Sequence, residues 1–169
     1  RYTYADCGVI PDPNYEQLCN IAYESSKLHK LLNNEEPNVA FLSFSTKGSA
    51  DHYRVDRVKE AVQMFSKKYP DIVHDGELQF DAAFNRKVNL SKVSKSPLKG
   101  EANVFVFPNL DAGNIAYKIT QYLAGYSAWG PLLQGLNKPV HDLSRGCSVE
   151  DIINVTSVAA LQRTQYANI

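Results

Sequence analysis

The run Asn38-Val39-Ala40-Phe41-Leu42-Ser43 constrains this chain more than any other segment. It is short, continuously apolar and free of polar alternation, the pattern of a central strand in a parallel sheet, where both faces are covered. The segments around it follow a matching grammar. Upstream, Arg1–Val9 reads as an opening strand, Pro11, Asp12, Pro13 and Asn14 punctuate the chain, and a helix runs from Tyr15 to about Leu32. Its apolar positions Leu18, Ile21, Ala22, Leu28, Leu31 and Leu32 recur at helical spacing, and Pro37 ends it. Downstream, the polar loop Phe44–His52 leads into a second helix with Val55, Val58, Ala61, Val62 and Phe65 on one face. Ile72-Val73-His74 is a third strand, closed by an Asp75-Gly76 turn before the Glu77–Phe84 stretch. Residues 85–102 are polar and basic, with Pro97 and Gly100, and predict a short helix and a surface loop. Val104–Pro108 is a further strand, a helix is expected from about Asn114 to Leu123, and Ala128–Leu133 is strand-like. Residues 134–147 form a long polar connection to a final helix from about Val149 to Gln165, whose inner side would be Ile152, Ile153, Val155, Ala159 and Ala160. The alternation of strand, loop and helix predicts an α/β fold, a mostly parallel sheet with helices on both faces.

Composition narrows the function. Hydrophobic residues at 44% and charged residues at 21% describe a globular protein, not a disordered tail. No apolar run approaches the roughly 20 residues of a membrane helix, so neither a membrane span nor a signal peptide is expected. Lys plus Arg equals Asp plus Glu at 18 each, so net charge recruits neither nucleic acid nor an anionic membrane, although a local basic cluster could bind a phosphorylated small molecule. Cys7, Cys19 and Cys147 are an odd count without a CxxC pair, which reads as reduced thiols in a cytoplasmic protein. His29, His52 and His74 show no metal-ligand spacing, and no metal is expected. The only methionine is Met64 and the first residues already read as a strand, so residues are expected to be missing upstream.

In α/β sheets ligands bind beyond the carboxyl ends of the strands, and three segments occupy such positions. Ser45-Thr46-Lys47-Gly48-Ser49 offers hydroxyls, a cation and a glycine, with backbone N–H groups at the following helix start to favour a phosphate; a plain capped turn explains it equally well, and neither a P-loop nor a GxGxxG is present. Asn109–Lys118 is an ordinary turn composition, but Lys118 is expected in the first turn of its helix, against the dipole, which tilts it towards an anion. Ser144–Asp151 contains Ser148-x-x-Asp151, a capping box variant that accounts for Asp151 structurally; the alternative is a base, a cation and a hydroxyl within one turn. A Cys147–His141 nucleophile pair is a minor reading, as is a Glu77–Asp81 pair on one helix face.

Five motifs in order then go beyond generic arithmetic. Phe41-Leu42-Ser43-Phe44-Ser45-Thr46-Lys47-Gly48-Ser49, Asp75-Gly76-Glu77-Leu78-Gln79-Phe80-Asp81-Ala82-Ala83, Val104-Phe105-Val106-Phe107-Pro108-Asn109-Leu110-Asp111-Ala112-Gly113-Asn114, Gly130-Pro131-Leu132-Leu133-Gln134-Gly135 and Asp142-Leu143-Ser144-Arg145-Gly146 together closely resemble the bacterial phosphate acetyltransferase family. The resemblance runs to the carboxyl end of that family, whose members are about twice this long. It implies a fragment of a two-domain enzyme of the isocitrate/isopropylmalate dehydrogenase-like fold. Residues 1–131 would be the second α/β domain, truncated at its start, and 132–169 a return segment belonging with an absent amino-terminal domain. The implied reaction interconverts acetyl-CoA and phosphate with acetyl phosphate and CoA in a homodimer, with CoA as substrate and no cofactor.

By the same resemblance, Asp151 would take the CoA thiol proton in a cleft that desolvates it, Arg145 would hold the phosphate, and Ser144 would hydrogen-bond the developing charge. From the strand-end segments themselves, Ser45, Thr46, Asn114 and Lys118 are the expected substrate-binding residues, and on the resemblance Cys147 would be a bystander. Tyr53, Tyr122, Trp129 and His141 depart from the residues common in the family at their positions; Trp129 and His141 bear on acyl-chain preference. Two alternatives stand beside this reading: a phosphate butyryl or branched-acyl transferase, and a non-catalytic module that binds a phosphorylated ligand or a partner.

Overall fold

The computed structural model describes residues 1–93 and 95–166. In chain order the elements are β1 (Thr3–Ala5), α1 (Tyr15–Asn33), β2 (Val39–Leu42), α2 (Tyr53–Lys68), β3 (His74–Leu78), α3 (Phe80–Phe84), α4 (Arg86–Lys92), β4 (Val104–Val106) and α5 (Leu110–Lys118). A single π-helical turn, Ile119–Leu123, continues α5, and α6 (Val149–Tyr166) closes the chain. The chain divides into two compact units, Arg1–Ala116 and Tyr117–Ile169.

The first unit holds a four-stranded sheet in the order β1-β4-β2-β3, every neighbouring pair parallel. β2 is buried along its whole length, as its unbroken apolar run requires. Successive side chains of a strand point to opposite faces. Val39 and Phe41 of β2 and Val104 and Val106 of β4 therefore pack on one side with Leu18, Cys19 and Ala22 of α1 and Val58, Ala61 and Phe65 of α2. Ala40, Leu42, Phe105 and Phe107 pack on the other side with Leu78, Ala82, Ala83, Val93, Leu98 and Ala102, and Val88 of α4 and Ala112 of α5 lean on that cluster. The expected parallel α/β sheet with helices on both faces is present.

Helix ends follow local chemistry. Asn14 caps α1: its Oδ1 accepts from Gln17 N at 2.8 Å, while Gln17 Oε1 accepts from Asn14 N at 2.9 Å. α1 stops at Asn33 because Asn34 turns left-handed (φ 53°), ahead of Pro37.

Three expectations are corrected. Asp75-Gly76 is not a turn but lies inside β3, where the register against β2 shifts so that Gly76 and Glu77 stand opposite Phe41. The glycine is needed for close approach: a Cβ there would lie 2.7 Å from Phe41 Cβ and 2.8 Å from Val62 Cγ2. Residues 128–133 contain no strand, and the segment runs as an irregular loop. On α6 the buried side is Val155, Val158 and Gln162, at helical spacing, whereas Ile152 and Ile153 are exposed.

Candidate functional site

The β2–α2 turn is built around a buried carboxylate. Glu77 is 2% exposed, and its Oε1 accepts from Ser45 Oγ at 2.8 Å and Gly48 N at 2.7 Å. Ser45 Oγ in turn accepts from Ala50 N at 3.2 Å. Thr46 Oγ1 accepts from Gln79 N at 2.9 Å and donates to Gln79 Oε1 at 3.2 Å. The Lys47 ammonium reaches back to the Asp75 carboxylate and to Gly76 O at 2.7 Å. Ser45 and Thr46 are thus buried and bonded inside the fold, as turn-forming groups. α2 begins at Tyr53 behind its own cap, His52 Nδ1 accepting from Arg54 N at 3.2 Å, so Ser45 and Thr46 do not sit at a helix N-terminus as expected. Glu77 belongs to β3 and Asp81 to α3, which removes the idea of a shared helix face.

The second segment corrects an argument about Lys118. α5 starts at Leu110, not near Asn114, because Asn109 Oδ1 accepts from Ala112 N at 2.9 Å and caps the helix there. Lys118 consequently falls in the last turn, where a cation complements the dipole. Its ammonium lies over the Tyr117 ring at 4.9 Å, and the hydrogen bond with Tyr117 raises its pKa above the ordinary lysine value. Asn114 Nδ2 donates to Cys7 O at 3.0 Å, tying α5 to the loop after β1. Gly113 permits that approach, since a Cβ would meet Asp6 O at 2.1 Å. Burial, reinforced by Asp6, pushes the Cys7 thiol up to about 12, which leaves it inert.

The third segment lies in the second unit. Ser148 caps α6 in a reciprocal box: Asp151 N donates to Ser148 Oγ at 3.1 Å, and Asp151 Oδ2 accepts from Ser148 N and Ser148 Oγ, each at 2.8 Å. Those bonds from the Ser148 backbone and hydroxyl hold the Asp151 carboxyl below its ordinary value. The carboxylate is partly exposed in this chain. Just ahead, Ser144 and Arg145 are exposed on a turn closed by Cys147 N donating to Ser144 O at 3.0 Å, with Gly146 N donating to Ser144 Oγ at 3.4 Å. Among the described residues no ion pair joins Arg145 to Asp151. A hydroxyl, a guanidinium and a carboxylate therefore share one loop–helix junction, with one carboxylate oxygen uncommitted.

His141 does not serve Cys147. Its Nδ1 accepts from Leu133 N at 3.1 Å, and its Nε2 meets Gln162 Oε1 at 2.7 Å. The organising roles of two residues escaped the sequence reading. Gln162 was readable as a polar residue on the stripe of Val155 and Val158, whereas Glu77, in the polar run His74-Asp75-Gly76-Glu77, carried no such signal. Among the described residues no group of three or more His, Cys, Asp or Glu could hold a metal ion, and no helix is long and apolar enough to cross a membrane.

Comparison with known proteins adds an independent finding. A family model described as phosphate acetyl/butaryl transferase matches residues 1–160. The chain is 50% identical over 161 residues to a phosphate acetyltransferase of Thermoanaerobacterium thermosaccharolyticum, covering 95% of this chain and 49% of that protein. It is 50% identical over 162 residues to the phosphate acetyltransferase of Bacillus subtilis, covering 96% and 50%. A crystal structure of a phosphotransacetylase from Streptococcus pyogenes superposes with a TM-score of 0.94 at 47% identity, covering 98% of this chain and 50% of that one. The chain spans about half the length of the curated relatives it matches.

Proposed function

The chain belongs to the phosphate acetyl/butaryl transferase family, and on that premise we propose that it carries the reacting half of an enzyme interconverting acetyl-CoA and phosphate with acetyl phosphate and CoA. The observation that carries this reading is 50% identity over 161 residues to a protein of that activity, on a stretch that includes the Ser144–Arg145–Asp151 junction. In this reading CoA is a substrate and no cofactor takes part. Residues 132–169 return to a complementary domain in an isocitrate/isopropylmalate dehydrogenase-like enzyme, homodimeric and cytoplasmic.

The chemistry follows from the groups present. Asp151 Oδ1 takes the proton of the CoA sulfhydryl, and the sulfur attacks the acetyl carbonyl carbon. The bond from that carbon to the bridging oxygen breaks, and phosphate leaves paired with Arg145. Ser144 donates to the carbonyl oxygen as it gains charge. A free thiol near ~8.5 and a carboxylate near ~3.9 put full transfer in water at roughly 6 kcal/mol uphill. The Ser148 bonds lower Asp151 further and widen that gap. Two effects oppose it: Arg145 and the α6 N-terminus stabilise negative charge on substrate, and loss of water around Asp151 on substrate binding raises its pKa. Ser45, Thr46, Asn114 and Lys118 are the substrate-facing residues of this reading. Lys118, exposed, suits the phosphates of CoA, while Ser45 and Thr46 act through the shape of their turn.

A chimaera in which this chain replaces the matched half of the Bacillus subtilis enzyme is expected to form acetyl-CoA from acetyl phosphate, and to lose about 10²-fold or more in kcat on Asp151→Asn. Residues 1–169 alone are expected to be inactive or nearly so. An active chimaera indifferent to Asp151→Asn would remove the base. An inactive chimaera that still gains thermal stability from CoA would favour the ligand-binding module. A panel of acyl phosphates separates acetyl from butyryl and branched-acyl transfer.

A further inference from the structure

The loop that carries Ser144 and Arg145 is fastened at both ends, and only one fastening, the Ser148–Asp151 box, belongs to the site just described. The other is a run of amide and imidazole bonds in the same unit. Leu133 N donates to His141 Nδ1 at 3.1 Å, which leaves that nitrogen without a proton and puts the ring proton on Nε2. Nε2 then donates to Gln162 Oε1 at 2.7 Å. Gln162 Nε2 donates onward to Gln134 Oε1 at 3.2 Å, and Gln134 Nε2 to Leu132 O at 3.2 Å and Leu133 O at 2.9 Å. Each donor is matched to an acceptor around the run, so a single tautomer and a single orientation of both glutamines satisfy it. Gln162 is 7% exposed, and a buried amide stripped of its partners carries a desolvation cost that keeps the run closed.

We propose that His141 is a positioning residue: it straps the Ser144–Arg145 loop to α6, the helix that carries Asp151, and so sets where Arg145 holds the phosphate. His141 precedes Ser144 by three residues, and Gln162 lies on the helix that Asp151 opens. With the strap in place, the loop is pinned to α6 at Gln162 and at Ser148, and the reacting hydroxyl and guanidinium lie between the pins. Without it, the capping box alone holds the loop, and Arg145 samples positions that miss the anion. This assignment rests on the transferase reading for its consequence in catalysis, but the strap itself is testable without it.

The test has two arms. In residues 1–169, amide hydrogen exchange is measured for residues 142–147 in the parent, His141→Leu, Gln162→Leu and His141→Asn. Leucine at either position removes the bond, whereas asparagine keeps an acceptor for Leu133 and a donor for Gln162. Expected are exchange rates about 10-fold faster or more in both leucine variants and near-parent rates in His141→Asn. In the chimaera, His141→Leu is expected to raise the KM for acetyl phosphate about 10-fold while leaving the KM for CoA within about 2-fold, and to cost nothing further once Arg145 is replaced by Ala. Unchanged exchange in the leucine variants overturns the strap. Faster exchange with an unchanged acetyl phosphate KM, or an equal loss in the Arg145→Ala background, overturns its action through Arg145. An inactive chimaera with faster exchange upholds the strap and counts against the transferase reading instead.

Discussion

The two units of this chain solve opposite problems. In Arg1–Ala116 every strand of the sheet meets a helix layer, and large side chains such as Phe41, Phe65 and Phe105 are at most 1% exposed. In Tyr117–Ile169 the 18-residue helix α6 buries Val155, Val158 and Gln162, while Val149, Ile152 and Ile153 stay exposed, as do Tyr122, Leu123 and Trp129. The first unit contains its own core. The second is ordered by polar devices instead: a capping box at one end of the loop, and the His141–Gln162–Gln134 run at the other. The difference teaches that packing strength and the proposed chemistry are segregated, with Ser144, Arg145 and Asp151 on the side that has the lesser core. Sites that must admit and release substrates are drawn from segments of low local stability.

That contrast can be broken most directly in the core. Phe105→Ala removes a ring packed 5.6 Å from Tyr4 and 5.1 Å from Phe80, centroid to centroid. It is expected to cost about 3–5 kcal/mol, against about 1–2 kcal/mol for Val158→Ala in α6. Urea midpoints by circular dichroism measure both, and equal losses would erase the distinction between the units. Next in size is Glu77→Ala. It strands the Ser45 hydroxyl and the Gly48 N–H in a buried turn and is expected to cost about 2–3 kcal/mol, read from the same midpoints. A loss under about 0.5 kcal/mol would mean the turn holds without its carboxylate.

The smallest effect is in acid, where the units should separate by pH. Burial lowers the His29 pKa, with the Glu35 carboxylate at 3.8 Å opposing the shift. A histidine whose folded value is depressed gives full stability above its unfolded value near 6.5. That stability is lost as pH falls from there towards the folded value, by at most about 1.4 kcal/mol per pH unit. Asp151 is a depressed carboxylate, so its support for α6 is present above the unfolded value near ~3.9 and fades only as pH falls through the folded one. Between about pH 6.5 and 4 the first unit should therefore weaken while the start of α6 keeps its protection, and His29→Gln should flatten that slope. Slow exchange at α6 lost before any change at β2 would reverse the comparison.

Much of the fold was legible because it rests on short-range regularities. The apolar run of β2, the helical stripes of α1 and α2 and the helix start after Asn14 are each written within a few residues, and each appears where its pattern put it. Composition misled where one residue type serves two geometries. Asp75-Gly76 has the makeup of a turn, yet it forms a bulge because Phe41 and Val62 arrive from elsewhere and leave no room for a side chain. Lys118 drew an argument from a helix start placed four residues late; the Asn109 cap moved the helix and reversed its meaning. The candidate junction was legible in part. Ser148-x-x-Asp151 named its own capping box, and the five motifs named the family.

The sequence by itself determined the parallel α/β architecture and the kinship, since periodicity, caps and ordered motifs are local in the chain. Only the tertiary structure decided how the charged and polar side chains are used. Glu77 anchors a turn through Ser45 and Gly48, and His141 answers to Gln162 instead of Cys147. The physical reason is that burial and hydrogen-bond partners set what a carboxylate or an imidazole can do, and both come from residues distant in sequence, whose arrival no local pattern encodes.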